Sequence, residues 1–275
     1  MRLPFGEAVR SRALNRISSR ERTCLKKQVR EERVGPMWDV NSFDTGILLF
    51  LNQFARRSFT WDVLVSAVEG MNLLKGGVLM GFLLYIWFRR GENKTRDREF
   101  VTFSMVISAA AVLVARTLAL TLPFRERPLR AQALHFQLPY AMNPHALQNW
   151  SSFPSDHAAI SFAIATCLLF ISRRLGIGAL VYSFFVICFP RVYLGIHYPT
   201  DIVAGALIGI TMAFWIKLSP LRMALARPFL RWEDLHPGLF YPFFFLVALE
   251  VSEMFGSLRA IARWGLLAAK RGAGQ

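Results

Sequence analysis

The 275-residue chain is poor in charged residues, and particularly poor in acidic ones. Charged residues make up 19% of the sequence, whereas a soluble domain usually carries about a quarter. Hydrophobic residues make up 54%, and they are gathered in runs rather than scattered. This composition argues against a soluble protein and predicts a polytopic helical membrane protein.

Cysteine is also scarce, because only Cys24, Cys167 and Cys188 occur and no C-x-x-C pair is among them. Two of the three lie inside apolar runs. Their spacing argues against a disulfide framework and against a thiolate metal site, so we expect small core residues. No nucleic-acid motif accompanies the net charge of +15, and membrane proteins gather Lys and Arg on cytoplasmic loops. The charge therefore indicates no nucleic-acid partner.

The N-terminal residues 1–36 lack the apolar segment that a cleavable signal peptide needs. They hold ten Lys and Arg against four Asp and Glu. We expect a basic arm, disordered or bound to a surface, with no catalytic role. An alternative is that Met37 is the true start.

The predicted fold class is all-α, a transmembrane helical bundle of about five to six spans preceded by an amphipathic helix. Segment Asn41–Phe59 is typical of an interfacial helix, although a short span fits it as well. We expect a catalytic bundle at 37–217 and a C-terminal extension at 218–275 with one possible further membrane helix. Several predicted spans are shorter than the ~20 residues of a perpendicular crossing. The six predicted spans are Leu73–Phe88, Phe100–Leu122, Ala158–Ile171, Leu175–Phe189, Ile202–Trp215 and Leu239–Val251.

Loop charges orient this bundle. The connections Arg89–Glu99, after Ile171 and after Trp215 are rich in Lys and Arg, which predicts that they face the cytoplasm. The connections Pro123–Asp156 and Pro190–Thr200 then face the opposite side. Unusual polar residues are concentrated in these two connections.

Three polar clusters converge on that external face. The segment "RTLALTLPFRERP" supplies Arg116, Arg125 and Arg127. The segment "SSFPSDHA" supplies Ser155, Asp156 and His157, and the segment "PRVYLGIHYPTD" supplies Arg191, His197 and Asp201.

These residue types suit phosphoryl transfer. Arginine forks match phosphate oxygens, and a helix that starts at Ser155 or Asp156 favours an anion at its N-terminus. Asp201 lies four residues after His197, close enough to accept its ring N–H, so that one histidine attacks phosphorus while the other handles the proton. Arginines then replace a metal ion. Taken singly, each cluster has another interpretation: a helix cap, a zinc site, or arginines that anchor lipid headgroups.

At these residues the chain resembles the type 2 phosphatidic acid phosphatase superfamily of membrane lipid phosphatases, related in fold to vanadium haloperoxidases. The family pattern is a Lys and Arg-Pro, then Pro-Ser-Gly-His, then Ser-Arg followed by a spaced His and Asp. The matching residues, over about Ser42 to Trp215, are Arg127-Pro128, Pro154-Ser155-Asp156-His157, and Arg191 with His197 and Asp201. The resemblance implies His197 as nucleophile, Asp201 as its orienter and His157 as acid and base. It implies a phosphate cradle of Arg127, Arg191, Ser155 and the backbone of Asp156, without metal or cofactor.

The chain departs from the pattern at three positions. Leu120 stands where the family has Lys, so Arg116 and Arg125 are the candidate substitutes. Pro190 replaces the Ser before Arg191, and Asp156 replaces Gly, so its carboxylate must point away from the phosphate or bind a cation.

The Pro-Ser-Asp-His form is similar to that of bacterial undecaprenyl diphosphate phosphatases. We therefore expect hydrolysis of undecaprenyl diphosphate in a bacterial inner membrane, with the active site facing the periplasm or exterior. The alternatives are a phosphatidate or phosphatidylglycerophosphate phosphatase, a lipid phosphotransferase, and a non-enzymatic lipid-binding or transport protein. Oligomeric state is left open.

Overall fold

The computed structural model describes residues 41–145, 147–148, 150–217, 221–258, 260–261 and 264. The predicted basic arm, 1–36, lies outside them. The described residues form helices and turns and no β-strand, which confirms the all-α class. The α-helices are α1 Ser42–Asn52, α2 Phe59–Gly70, α3 Val78–Phe88, α4 Lys94–Thr121, α5 Asp156–Ile171, α6 Arg173–Tyr182, α7 Phe189–Tyr193, α8 Pro199–Lys217, α9 Leu221–Leu235 and α10 Pro237–Ser252.

The first helix is shorter than the predicted interfacial segment. Asn41 caps α1 by accepting the N–H of Asp44 at 2.7 Å, and the helix ends at Asn52 rather than near Phe59. Its buried stripe contains Asp44, Leu48 and Asn52. Asn52 exchanges two hydrogen bonds with the backbone of Gln137, at 2.7 and 2.8 Å. The polar residues that suggested an interfacial helix therefore hold the long loop after α4.

The predicted span at Leu73–Phe88 is the second half of a bent helix. Helix α2 is followed by a π-helical turn, Leu73–Gly77, and then by α3, with a bend of 65° between the two halves. The hydroxyl of Tyr182 donates to the carbonyl of Leu74 in this turn at 2.5 Å. A π-helical turn is rare and often marks a functional segment. Lys75 lies on this turn and is buried.

Two helical stretches are long and apolar enough to cross a membrane, and the bent pair makes a third. They are Lys94–Thr121, Arg173–Tyr193 (α6, a π-helical turn and α7 in sequence) and Phe59–Phe88. Three further apolar helices are shorter: Asp156–Ile171, Pro199–Trp215 and Pro237–Ser252. The predicted five to six spans thus have six helical counterparts, and half of them are shorter than a perpendicular crossing requires.

The C-terminal helices pack onto the bundle. Phe240, Phe244 and Val251 of α10 are buried in one cluster with Leu83 and Trp87 of α3. The guanidinium of Arg98 in α4 binds both carboxylate oxygens of Glu233 in α9 at 2.6 Å, and both side chains are nearly buried. Removal of one partner from a buried pair typically costs about 3–5 kcal/mol. This pair therefore fixes α9 to α4.

The long helices divide the protein into two ends. At one end the carbonyl of Phe170, near the C-terminus of α5, accepts a hydrogen bond from Arg96 at 3.5 Å, and Lys217 lies 4.3 Å from the Phe170 ring. The other end holds the N-termini of α5 and α8 and the loop after α4. The predicted polar clusters lie at this second end, opposite the basic loops.

Candidate active site

Two helices begin side by side at the site end of the bundle. Ser155 caps α5, since its Oγ accepts the N–H of Ala158 at 3.4 Å, and its own N–H donates to the carbonyl of Asp201 in the first turn of α8 at 3.1 Å. Gly205 and Gly209 of α8 lie so close to α5 that a Cβ on either would collide with backbone carbonyl oxygens. Pro199 is the first residue of α8, as the sequence predicts. Both helix N-termini are positive dipole ends, so an anion is favoured here.

His197 lies in the loop before α8 with its two ring nitrogens in different surroundings. Nδ1 is 2.8 Å from the carbonyl oxygen of Ser152 and 3.4 Å from Oδ2 of Asp201. Nε2 is 3.5 Å from a guanidinium nitrogen of Arg127. Because both neighbours of Nδ1 are acceptors, Nδ1 carries the proton. The lone pair is therefore on Nε2, toward the arginine.

The protonation of His197 is set by its burial. Burial lowers the pKa of His197 to about 4; the charges of Arg127 and Arg191 act in the same direction, and Asp201 opposes them. The imidazole is thus neutral at pH 7. A neutral imidazole with a free lone pair is what a nucleophile requires.

Arg125, a predicted phosphate ligand, forms ion pairs with two buried carboxylates. Its guanidinium donates to Asp201 at 2.5 Å and to Asp44 of α1 at 2.7 Å, and it lies 4.1 Å from the centre of the Tyr198 ring. Asp44 also accepts from the N–H of Thr200 at 2.9 Å. Arg125 therefore holds two buried carboxylates together, and its contact with phosphate stays a prediction.

Arg127 and Arg191 are buried arginines of the site. Arg127 donates to the carbonyls of Ile196 at 2.6 Å and Ser151 at 3.2 Å. Burial lowers the pKa of Arg127 to about 10, so the group stays charged at pH 7. Arg191 is close enough to act electrostatically on both His157 and His197. The Nε–H groups of both arginines are buried and have no acceptor among the described residues.

His157 and Asp156 form a compact pair at the start of α5. Oδ1 of Asp156 accepts the backbone N–H of His157 at 3.0 Å and lies 2.8 Å from its Nδ1. Oδ2 of Asp156 forms an ion pair with Arg116 of α4. The guanidinium of Arg116 lies 4.4 Å from the Trp150 ring. The structure thus brings together all nine predicted site residues at one end of the bundle.

The sequence also matches a known protein family over its central part. A family model described as "PAP2 superfamily" matches residues 103–224, which contain both histidines and their arginines. A lipid A 4'-phosphatase from Bacteroides thetaiotaomicron is 33% identical over 172 residues, which cover 62% of this chain and 73% of that protein. The chain belongs to the PAP2 superfamily. The curated relatives include an undecaprenyl-diphosphatase and a lipid A phosphatase, and this PAP2 protein is a phosphatase of membrane lipids.

Two further proteins show the range of similarity. The undecaprenyl-diphosphatase BcrC of Bacillus subtilis is 28% identical over 148 residues, which cover 54% of this chain and 68% of that protein. The crystal structure of Aquifex aeolicus LpxE is 23% identical and aligns with a TM-score of 0.46, over 65% of this chain and 97% of that one.

The PAP2 pattern has a lysine where this chain has Leu120. The Leu120 side chain is 86% exposed, so a cation there would point away from the buried arginines. Arg116 lies one helical turn earlier and pairs with Asp156. The Asp156 carboxylate turns toward Arg116 and His157, one of the arrangements that its replacement of glycine required.

Two charged residues of this PAP2 site were not singled out from the sequence. Glu69, at the end of α2, accepts from Arg191 at 2.9 Å and lies 4.0 Å from Nζ of Lys75 on the π-helical turn. Lys75 also acts electrostatically on His157. The sequence alone could have identified them, because charged residues inside an apolar segment are functional candidates by default.

The expected absence of a metal ion stays a prediction. Among the described residues, no group of three or more His, Cys, Asp and Glu side chains is arranged to hold a metal ion. The two histidines instead have Asp156 and Asp201 as partners, one carboxylate each.

Proposed function

We propose that this PAP2 protein hydrolyses a lipid phosphate or diphosphate through a phosphohistidine on His197. The observation that carries the proposal is the asymmetry of the His197 ring. Nδ1 is held by Ser152 and Asp201, and the free lone pair on Nε2 lies toward the buried Arg127. A structural histidine needs no such orientation, whereas a nucleophile does.

The reaction proceeds in two steps. Nε2 of His197 attacks phosphorus, the bond between phosphorus and the leaving oxygen breaks, and His157 donates a proton to that oxygen. Water then attacks phosphorus, the phosphorus–nitrogen bond breaks, and His157 accepts the water proton as inorganic phosphate forms. His197 and His157 return to their starting states, and no other reactant is consumed.

Arg127, Arg191 and the N-terminus of α5 hold the phosphoryl oxygens in this proposal. The support is the buried, acceptor-free Nε–H of each arginine, since buried donors are nearly always satisfied. Ser155 caps α5, and the positive dipole end of this helix lies at the same end of the protein. Charge that develops on the equatorial oxygens is stabilised by guanidinium groups in place of a metal ion.

The substrate that we propose is undecaprenyl diphosphate. Its support is the similarity to the BcrC undecaprenyl-diphosphatase together with the Pro-Ser-Asp-His form at His157. A lipid monophosphate is the second candidate, supported by the similarity to a lipid A 4'-phosphatase. Phosphatidate, phosphatidylglycerophosphate and transfer to an acceptor lipid use the same phosphohistidine. A non-enzymatic lipid-binding role leaves the oriented His197 without a purpose.

We also propose that the site faces the periplasm or exterior of a bacterial inner membrane. The support is the basic end of the bundle, where Arg89, Arg96, Arg98 and Lys217 lie opposite the site. The catalytic unit is then 37–217, with 218–275 as an extension whose described helices brace α3 and α4.

The experiment is phosphate release by the purified protein from a panel of lipid mono- and diphosphates, each assayed in excess EDTA. We expect release from undecaprenyl diphosphate above the others, unchanged by EDTA and absent in His197→Ala. Release from a monophosphate alone would select the second candidate. Complete loss in EDTA, restored by Mg²⁺ or Zn²⁺, would overturn the metal-free mechanism.

A further inference from the structure

Asp156 occupies a position in the PAP2 pattern where glycine is expected, and both of its carboxylate oxygens are engaged. Oδ1 receives the backbone N–H and faces Nδ1 of His157, at 3.0 and 2.8 Å. Oδ2 is paired with Arg116. The side chain is buried, with 8% of its surface exposed. Each oxygen of this buried carboxylate thus has a specific partner, His157 at Oδ1 and Arg116 at Oδ2.

The contact to Nδ1 determines which nitrogen of His157 serves the reaction. A carboxylate accepts and does not donate, so Nδ1 keeps its proton throughout the cycle. The first step therefore begins with His157 protonated on both nitrogens, and Nε2–H gives its proton to the leaving oxygen, which leaves a neutral ring with Nδ1–H. In the second step the same Nε2 has a lone pair for the proton of water. Without Asp156 the neutral ring has two tautomers, and only one of them presents a lone pair in the required place.

Arg116 makes this carboxylate compatible with a phosphate site. An unpaired negative charge at the N-terminus of α5 repels a phosphate bound there. The guanidinium of Arg116 compensates that charge and is itself held 4.4 Å from the Trp150 ring. An arginine inside an apolar helix needs such a partner, because an unpaired charge there is costly.

We propose that Asp156 is the positioning residue for His157, and that Arg116 fixes Asp156 in place. The site then contains two aspartate–histidine pairs, Asp201 for the nucleophile and Asp156 for the acid and base. This proposal rests on the proposed function, since it assigns a task to the proton-transfer step. The cations that face His157 from other helices are Arg191 of α7 and Lys75 of the π-helical turn.

The kinetic test compares two leaving groups in Asp156→Gly and Asp156→Asn. Glycine is the family residue at this position, so the start of α5 tolerates it. A lipid monophosphate releases a poor leaving group that needs a proton, and an aryl phosphate releases a good one that needs little. We expect both variants to lose rate on the lipid monophosphate, by no more than the 10²–10⁴-fold that general acid catalysis typically contributes. The loss on the aryl phosphate should be at least tenfold smaller.

Two further comparisons separate positioning from general damage. In a His157→Ala background, Asp156→Gly should cause no additional loss, because the residue acts through His157. Arg116→Met should show the same pattern of rate losses as Asp156→Gly. Arg116→Lys should lose less rate because it keeps the charge. Asp97→Asn is the matched control: it removes a buried carboxylate that pairs with Arg89 at the opposite end, and it should leave the leaving-group dependence unchanged.

A second readout does not depend on turnover. In ¹⁵N-histidine-labelled protein at a pH where the ring is neutral, the His157 resonances, assigned by their loss in His157→Asn, should report a proton on Nδ1 and none on Nε2. Asp156→Gly should change them to a mixture of tautomers. Unchanged resonances, equal rate losses on both substrates, or additive losses with His157→Ala would each overturn the proposal. A wild-type protein without lipid phosphatase activity would overturn the proposed function, and the resonances would still decide the role of Asp156.

Discussion

The Nδ1 atom of His197 lies 2.8 Å from the carbonyl oxygen of Ser152, a residue of the long loop after α4. Ser152 in turn donates its N–H to the carbonyl of Arg125 at 2.9 Å. The orientation of the nucleophile therefore depends on the loop backbone as well as on Asp201. The loop is held by its hydrogen bond to the backbone of Arg125.

Arg125 should behave as a positioning residue. Its guanidinium links Asp44 and Asp201. Replacement by Met leaves two buried carboxylates without their shared cation, so we expect Arg125→Met to lower kcat as Asp201→Asn does. The concentration of inorganic phosphate that inhibits the enzyme should stay within about threefold of wild type, because a positioning residue does not contact the phosphate. A loss of about 1.4 kcal/mol in binding would change that concentration tenfold.

Arg127→Met is the comparison for Arg125. This variant should weaken phosphate inhibition by tenfold or more, since a hydrogen bond to a charged group contributes about 1.5–3 kcal/mol. If Arg125→Met weakens phosphate binding as strongly as Arg127→Met, Arg125 contacts the substrate after all. Circular dichroism and thermal unfolding of both variants check that the bundle remains folded.

The acid limb of the pH–rate profile should report His197. Burial lowers the pKa of His197 to about 4, below the ordinary value of ~6.5. The free enzyme should thus keep its nucleophile down to about pH 4–5 in plots of kcat/KM. An acid limb near pH 6.5 that persists in His157→Ala would contradict this assignment.

The same depressed pKa makes a prediction for stability. Between pH 6.5 and about 4 the unfolded chain binds a proton at His197 and the folded protein does not. The contribution of the neutral ring to stability is therefore complete above pH 6.5 and is lost as the pH falls through this window. Wild type should lose more stability than His197→Asn over the same range, as measured by thermal unfolding in detergent.

Glu69 should set the position of Arg191. The Glu69 carboxylate accepts a hydrogen bond from the guanidinium of Arg191 at 2.9 Å and lies 4.0 Å from Nζ of Lys75. We expect Glu69→Ala to lower kcat/KM by about tenfold, within the range for a lost charge-assisted hydrogen bond. Glu69→Gln should lose less, because the amide oxygen still accepts. Glu92→Ala, an exposed carboxylate of the opposite end, is the control. Equal activity of Glu69→Ala and wild type would remove Glu69 from the site.

Thiol labelling of single-cysteine variants shows which side of the membrane each end of the bundle faces. Gln132 is exposed at the site end, and Asn93 is exposed at the basic end. In a background without Cys24, Cys167 and Cys188, Gln132→Cys in intact cells should react with an impermeant thiol reagent and Asn93→Cys should not. Labelling of Asn93→Cys alone would place the chemistry on the cytoplasmic side.

Most of the site was accessible from the sequence because its residues lie in three short motifs. Pro154 to His157 and His197 to Asp201 carry their spacing with them, and a helix start fixes their relative positions. The all-α class followed from the apolar runs alone. These features are local, and local features are what a single sequence encodes most directly.

The remaining features depend on contacts between distant segments. Asp44 was assigned to an interfacial helix, yet it lies on the buried face of α1 and pairs with Arg125. Lys75 was counted within an apolar span, and the π-helical turn that carries it has no clear sequence signal. Arg125 was predicted as a phosphate ligand and candidate substitute for the family lysine, and its ion pairs with Asp44 and Asp201 join segments far apart in the chain. The packing around Arg125 and Arg127 determines the direction in which each side chain points.

The most direct test of the mechanism is the trapping of the covalent intermediate. Protein incubated with a ³²P-labelled substrate and quenched in alkali, where phosphohistidine survives, should carry one acid-labile phosphoryl group per active site. The label should be absent in His197→Ala and retained in His157→Ala, where breakdown of the intermediate is slowed. Label that maps to His197 confirms the nucleophile. Turnover without any label at His197, or label that persists in His197→Ala, would contradict the mechanism.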